Sequence, residues 1–396
     1  MLCFVVILIY CSLSIIYLFL LTLGGKFLFK VKKWNSTGNE PVKRIAILVP
    51  AYKEDRVILF TAANLLTINY PRGLFDIYII ADSFEPGTLL ELAKLPIHVL
   101  EVSFDNSTKV KSLNAAFSKI DKAYDIALIC DGDNLLDRNF LNNLNDAFLN
   151  GAKAIQGKRV PKNLETSFAI LDACSEGISH HIFRKGANAL GLSSAICGSG
   201  MAFEFITVKN ILSEIDAIGG FDKVLQLKIL QQDIFIHFLD DALVYDEKVD
   251  SPHAFSQQRQ RWLFSQFTYS KKFFFPAFRE LFRGNISYFN LAIANYWILP
   301  KAFFLVILPL MVPLGFYFGA NWGIAATGLF VIYILSLAMA LPAELVNRDL
   351  VQAVCSLPRA VILLIRAGFQ SKRSGKDFLH TAHTKTGITH PKSADY

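Results

Sequence analysis

Ile126-Ala127-Leu128-Ile129-Cys130-Asp131-Gly132-Asp133-Asn134 is an apolar run that ends in two carboxylates with one glycine between them. The run is short and sharply bounded, which predicts a buried strand rather than a helix. In open α/β sheets, ligands sit beyond the carboxyl ends of the strands, so Asp131 and Asp133 would project into a cleft. Two carboxylates so close repel each other unless positive charge lies between them. A divalent metal carrying nucleotide phosphates would supply that charge. A surface Asp-Gly turn after a strand is the equal rival at this point.

The flanking sequence weakens the rival. Residues 44–50 (Arg-Ile-Ala-Ile-Leu-Val-Pro) read as a strand ended by proline, followed by a helix opening at Ala51 and running through Leu66. Residues 77–82 form a second apolar strand, and it also ends in an aspartate, Asp82. Residues 97–102 and 154–158 read as further strands, and residues 109–119 and 168–183 as helices. Apolar strands alternating with helices predict an α/β fold with a doubly wound, mostly parallel sheet. Its carboxylates would gather at one edge. Ile196-Cys197-Gly198-Ser199-Gly200-Met201 is a small-residue turn where backbone can approach a ligand, or an ordinary tight loop. Gly219-Gly220-Phe221-Asp222 opens a helix to about Gln232, with Asp222 placed for capping or for chemistry.

The two ends read as membrane segments. Residues 1–23 carry no charge and are long enough to cross a bilayer. They lack the basic start and small-residue cleavage site of a signal peptide. Lys26, Lys30, Lys32 and Lys33 follow, which puts the rest of the chain on the cytoplasmic side. Residues 302–318 and 322–342 form an uncharged hairpin, with Pro309 and Pro313 placed to kink its first helix. Residues 349–369 carry arginines in an apolar background and are placed on the membrane rather than through it. Residues 257–282 interleave Lys, Arg and Phe, as an interfacial helix would. The expected organisation is a transmembrane helix at 1–25, a linker at 26–42 and a cytoplasmic catalytic domain at 43–262. Interfacial helices at 263–300, a transmembrane hairpin at 301–343, and a membrane-surface helix with a basic tail at 344–396 complete it.

Composition agrees. Of 396 residues, 53% are hydrophobic and the mean hydropathy is +0.37, with the excess at the ends. A net charge of +7 without a long basic run fits a membrane surface and an anionic substrate, and not a nucleic-acid partner. The six cysteines form no CxxC pair, which points to free thiols in a reducing compartment. His380 and His383 are too few to argue a metal site. The Asn35-Ser36-Thr37 sequon should be unused on the cytoplasmic side.

Taken in order, Val49-Pro50-Ala51-Tyr52-Lys53-Glu54, Asp82, Asp131-Gly132-Asp133, Gly198-Ser199-Gly200 and Gln258-x-x-Arg261-Trp262 resemble the motifs of membrane-bound glycosyltransferases of family 2. That group includes cellulose, chitin and hyaluronan synthases and ceramide glucosyltransferase. The resemblance covers 43–262 and implies an A-type glycosyltransferase domain. It implies inverting transfer from a nucleotide sugar, most often a uridine diphosphate sugar, with Mg²⁺ or Mn²⁺. It implies that Tyr52, Glu54 and Asp82 bind base and ribose, and that Lys109 contacts the nucleotide. Asp131 would lie near the ribose and diphosphate, and Asp133 would hold the metal. The Gly198 and Ser199 turn would line the acceptor site. Gln258, Arg259, Arg261 and Trp262 would hold the diphosphate and the acceptor end. The family's Thr-Glu-Asp, whose aspartate is the catalytic base, is absent. Asp222 and Asp233 compete for that role, and Asp222 is preferred because Leu225, Leu227 and Leu230 follow it as the family's apolar helix does.

In such a reaction a carboxylate takes the proton of the attacking hydroxyl. A metal on Asp133 and the planar fork of Arg261 offset charge on the leaving diphosphate. Trp262 offers a face for a sugar ring, or a membrane anchor. A hydrolase with a Gly-x-Ser-x-Gly elbow, a Walker-type nucleotidase and a dinucleotide oxidoreductase all lack their fingerprints here. A scaffold or export subunit that lost transfer is the rival of another class. Polysaccharide synthesis is slightly preferred over a single transfer to a lipid acceptor. Three spans are few for a private polymer channel, so an oligomer or export partner would have to complete one.

Overall fold

The computed structural model describes residues 1–29, 42–217, 219–370 and 383–388. Most of the expected linker, the Asn35 sequon and His380 lie outside them. Among the described residues eight strands form one mixed sheet: β1 (Ile45–Tyr52), β2 (Phe75–Asp82), β3 (His98–Val102), β4 (Ile126–Ile129), β5 (Leu135–Leu136), β6 (Ala154–Pro161), β7 (Met201–Glu204) and β8 (Ile236–Asp246). Their spatial order is β3-β2-β1-β4-β7-β6-β8-β5. The β3-β2-β1-β4 half is parallel, β7 is antiparallel to both neighbours, and β6 and β8 are parallel again. Helices cover both faces. One core joins Ile47, Val49, Ile77 and Leu128 to the Ile58–Leu66 and Phe140–Leu149 helices. The other joins Leu48, Ile80 and Ile129 to the Lys109–Lys119 and Phe221–Leu230 helices. Burial on both faces is why the parallel strands read as unbroken apolar runs.

Several boundaries differ from those read in the sequence. Strand β1 continues through Pro50 to Tyr52, because β4 stops pairing at Leu48 and leaves Pro50 with a strand partner on one side only. The following helix begins at Ile58, after a turn in which Lys53 takes a positive φ of 54° and the Glu54 carbonyl accepts the Val57 and Ile58 amides. Strands β5, β7 and β8 are not legible as strands in the sequence. β8 carries Asp240 and Asp241 in its middle, which breaks the apolar pattern, and Asp240 pairs with Lys158 and Lys185. The basic aromatic segment is two helices, Pro252–Lys272 and Phe274–Phe282, divided at Phe273. Pro276 falls in the first turn of the second, where its missing N–H is not needed.

Among the described residues, three helices are long and apolar enough to cross a membrane: Leu2–Leu28, Lys301–Phe318 and Ala320–Ala340. They share a core of Leu8, Ile15, Phe304, Leu308, Ala326 and Tyr333. Their outer faces expose Leu13, Leu20, Leu310 and Ile324, as lipid-facing surfaces would. A bent pair, Arg348–Val354 and Leu357–Gly368, turns by 51° and counts as a fourth by length and composition only if it is one broken span.

One packing constraint brings the strand ends together. A Cβ on Gly132 would lie 2.8 Å from the Ala51 Cβ, so the ends of β1 and β4 can approach only over glycine. Gly132→Ala should therefore destabilise the protein by about 1–3 kcal/mol through overpacking. Gly73→Ala, where an added Cβ meets nothing within 4 Å, should leave the thermal midpoint unchanged. Equal tolerance of both substitutions in thermal melts would remove the constraint.

Candidate active site

The sheet edge opens into a cavity of about 800 Å³. Tyr52, Glu54 and Asp82 line it from the ends of β1 and β2, and Asp131 and Asp133 from the end of β4. Lys109 comes from the first turn of its helix, Gly198 from the turn before β7, and Asp222 from the first turn of the Phe221–Leu230 helix. Gln258, Arg259, Arg261 and Trp262 close it from the Pro252–Lys272 helix. Residues far apart in sequence thus share one hollow. Asp233 is not among the lining residues and sits in a left-handed turn (φ 56°) beyond the far end of the Asp222 helix. Ser199 is fully buried rather than lining: its hydroxyl donates to Asn134 and accepts the Asp131 amide at 3.0 Å. It holds the Asp131 backbone instead of facing a ligand.

Cations from other elements hold the acidic edge. Lys109 Nζ pairs with Asp131 and donates to the Gly198 carbonyl at 2.6 Å, which ties the β4 end to the turn. Asp82 is buried, and one oxygen accepts the Ser83 hydroxyl at 2.9 Å while Oδ2 has no hydrogen-bond partner. Asp133 is also buried, and its Oδ2 has no hydrogen-bond partner either. Burial pushes the Asp133 carboxyl above its ordinary value, against the pull of His383 and Lys162. His383 was discounted in the sequence, yet its Nδ1 lies 2.8 Å from Glu54 and 4.0 Å from Asp133. Burial alone would lower the imidazole, but Asp133 and Glu54 hold it up to about 10. The tail is pinned there by Lys162, which donates to the Lys385 carbonyl at 2.8 Å, and by Glu247, which accepts the Thr384 and Lys385 amides.

Among the described residues no three His, Cys, Asp or Glu side chains form a metal cluster by themselves. The residues present still fit a divalent cation. A buried carboxylate oxygen without a hydrogen-bond partner faces a cavity where diphosphate oxygens would complete the shell, as Mg²⁺-type sites use one or two carboxylates plus phosphates.

The Asp222 side is set by the neighbouring helix. Gly220 has φ 63°, and a Cβ there would meet Ser265 at 2.9 Å. Tyr269 donates to the Gly219 carbonyl at 2.7 Å. Both contacts come from the Pro252–Lys272 helix, so that helix fixes where the Asp222 helix starts. Burial pushes the Asp222 carboxyl up, with Lys223 and Lys109 pulling it down. Arg259 pairs with Asp172, and its guanidinium lies 4.2 Å from the centre of the Trp262 ring. One face of Trp262 is therefore already covered. Burial pulls the Arg261 guanidinium below its ordinary value.

Sequence reading missed a charge network deeper in the cavity. Arg159 donates to Asp246 at 2.7 Å and to the Cys197 carbonyl at 3.2 Å, and pairs with Glu176 at 3.0 Å. Lys248, 2% exposed, pairs with Glu176 and, at 2.8 Å, with Asp246. Asp246-Glu247-Lys248, a charged cluster at the end of β8, is its local signal.

The model of the family described as Glycosyltransferase like family 2 matches residues 41–265. No curated protein matches the chain. Among solved structures it is similar to the mannosyltransferase PcManGT from Pyrobaculum calidifontis in complex with GDP-Man and Mn²⁺, at 14% identity and a TM-score of 0.48, over 91% of this chain and 99% of that one. It is similar to S. aureus TarS 1-349 at 13% identity and a TM-score of 0.44, over 84% and 90% of the two chains. It is also similar to glucosyl-3-phosphoglycerate synthase from Mycobacterium tuberculosis in complex with Mn²⁺, UDP and phosphoglyceric acid. There the identity is 13% and the TM-score 0.40, over 59% of this chain and 81% of that one.

The network gives a stability test. Lys248→Met strands Glu176 and Asp246 beside one remaining cation, and should destabilise by about 3–5 kcal/mol. Lys94→Met breaks only an exposed pair with Glu91 and should change stability by about 0–1 kcal/mol. Thermal midpoints in detergent that fall equally for both would deny the network its structural role.

Proposed function

The chain belongs to glycosyltransferase-like family 2, and on that premise we propose that it is an inverting enzyme that moves a sugar from a nucleotide diphosphate sugar to a membrane-borne acceptor. The observation that carries this reading is the shared cavity. Its acidic end has the lone carboxylate oxygen of Asp133, and its other end reaches Ile298, Ala302, Val361 and Leu364 beside the membrane helices. Those apolar walls favour a lipid-borne acceptor over a soluble one, and shift the preference from polymer synthesis to transfer onto lipid. Lys26, Lys301, Arg348, Arg359 and Arg366 flank the apolar helices and support a cytoplasmic catalytic domain.

Tyr52, Glu54 and Asp82 take the base and ribose. Lys109, already locked between Asp131 and the Gly198 carbonyl, fixes the donor floor before substrate arrives. Asp133 would hold a divalent cation, which when bound neutralises charge on the diphosphate. The acceptor hydroxyl attacks the anomeric carbon from the side opposite the leaving group. Asp222 accepts the hydroxyl proton, the new C–O bond forms, and the bond to the diphosphate breaks with its electron pair leaving on phosphate oxygen. Arg261, a planar cation in a partly desolvated wall, stabilises that departing charge. Gln258, whose buried Oε1 has no hydrogen-bond partner, is placed to accept a hydroxyl of substrate.

Asp222→Asn should lower kcat by about 10²–10⁴-fold while nucleotide affinity holds. Asp233→Asn should stay near wild type, and the reverse pattern would assign the base to Asp233. The base must be ionised, so activity should fall as pH drops through the Asp222 pKa. Because burial raises that pKa, the acid limb of kcat/KM should lie above 3.8. A profile flat down to the ordinary aspartate range would exclude Asp222.

Chelation should abolish release of nucleoside diphosphate, and Mn²⁺ or Mg²⁺ should restore it to the wild type but not to Asp133→Ala. Full turnover in the presence of chelator would reject the metal at Asp133.

A further inference from the structure

Beyond the Cys197-Gly198 turn the cavity holds two cations that the transfer step does not use. Arg184 is 7% exposed and lines the cavity, and its side chain has no hydrogen bond or ion pair to any described residue; its Nε is buried without a hydrogen-bond partner. A buried guanidinium left so is costly unless something binds it. Lys301 lines the same end and donates only to the Ser179 hydroxyl, at 2.6 Å. The carboxylates nearby are all committed: Asp172 to Arg259, and Glu176 and Asp246 to Arg159 and Lys248. His180, one turn before Arg184, is held neutral by burial, with a pKa lowered to about 3. The Arg184 guanidinium and the Lys301 amine therefore have no carboxylate partner at this end.

From this pair we propose an anion subsite in which Arg184 and Lys301 hold the phosphate of a lipid acceptor. Two cations match a phosphate, and the arginine fork can engage two of its oxygens. Lys301 is the first residue of a membrane-length helix, and Ile298, Ala302, Val361 and Leu364 wall the space beside it. A headgroup held there would lead its chain along apolar surface toward the bilayer. The donor diphosphate is assigned to the other side of the turn, where Lys109 bonds the Gly198 carbonyl, whereas Arg159 bonds the Cys197 carbonyl on this side. The accepting hydroxyl then lies between the phosphate and Asp222. This subsite rests on the lipid-acceptor reading above, and its test separates the two.

Purified full-length protein in phosphatidylcholine nanodiscs is titrated, without donor, with fluorescent phosphatidic acid. Wild type should bind it, and Arg184→Gln should weaken binding by about tenfold to about a hundredfold, the range of a lost charged hydrogen bond. Arg184→Lys should recover part of the loss, and nucleotide affinity should stay the same in both variants. Neutral fluorescent diacylglycerol should not bind. Displacement of the lipid by excess inorganic phosphate would show that a free anion is the ligand, and would overturn the lipid source. Equal binding by wild type and Arg184→Gln would overturn the subsite. In a second arm, lipids of the expression host are split into anionic and neutral fractions and offered with labelled nucleotide sugar. Label in the anionic fraction, with a raised half-saturating lipid concentration for Arg184→Gln and kcat within about twofold, supports the proposal. Label only in the neutral fraction, or only in a water-soluble acidic glycan, overturns it. Lipid binding with no transfer in either fraction would defeat the transfer reading while the anion subsite stands.

Discussion

Like charges crowded at one end of a sheet repel, and the arrangement of this protein answers that repulsion. Asp82, Asp131, Asp133 and Asp246 all stand at strand ends, three of them buried. Such a group survives only if cations or bound ligands compensate it. The protein supplies the cations from several segments: Lys109 and Lys162 from flanking segments, Arg159 from within β6, Lys248 from just beyond β8, and His383 from the carboxyl-terminal tail. The compensation is incomplete at Asp82 and Asp133, where one oxygen each is left over, and there a ligand can act.

The compensation divides the cavity into regions of different use. On one side of the Cys197-Gly198 turn, Lys109 neutralises Asp131 and leaves Asp133 available. On the other, Arg159 and Lys248 lock Glu176 and Asp246 into a closed network with no charge to spare. Arg184 and Lys301 lie outside both sets. The same rule that makes an unpaired carboxylate oxygen a cation site makes an unpaired guanidinium an anion site.

Much of this was legible in the sequence, for physical reasons. β1, β2 and β4 are buried on both faces and so read as apolar runs, and each ends at the residues that line the site. The Lys109–Lys119 helix was placed to the residue, because Thr108 caps it and no helix breaker interrupts it. Strand β8 escaped because Asp240 and Asp241 are carried in its middle, solvated or paired with Lys158 and Lys185. Arg184, Lys301 and His383 escaped for another reason. Lys301 and His383 owe their places to partners scores or hundreds of residues away, and Arg184 to burial that only the tertiary fold creates; no local pattern records either. Ser199 belongs to a motif and was assigned to substrate, yet its hydroxyl is consumed by Asn134 and the Asp131 amide.

The Pro252–Lys272 helix has a further consequence. One side fixes the start of the Asp222 helix, through Ser265 against Gly220 and Tyr269 on the Gly219 carbonyl. The other packs Leu263 against Leu364 and Ala367, and Phe255 against Ala360, on the bent apolar pair. The proposed proton acceptor is thus one helix away from the bent apolar pair. The placement of the Asp222 carboxylate is therefore tied, through a single helix, to the packing of the bent apolar pair.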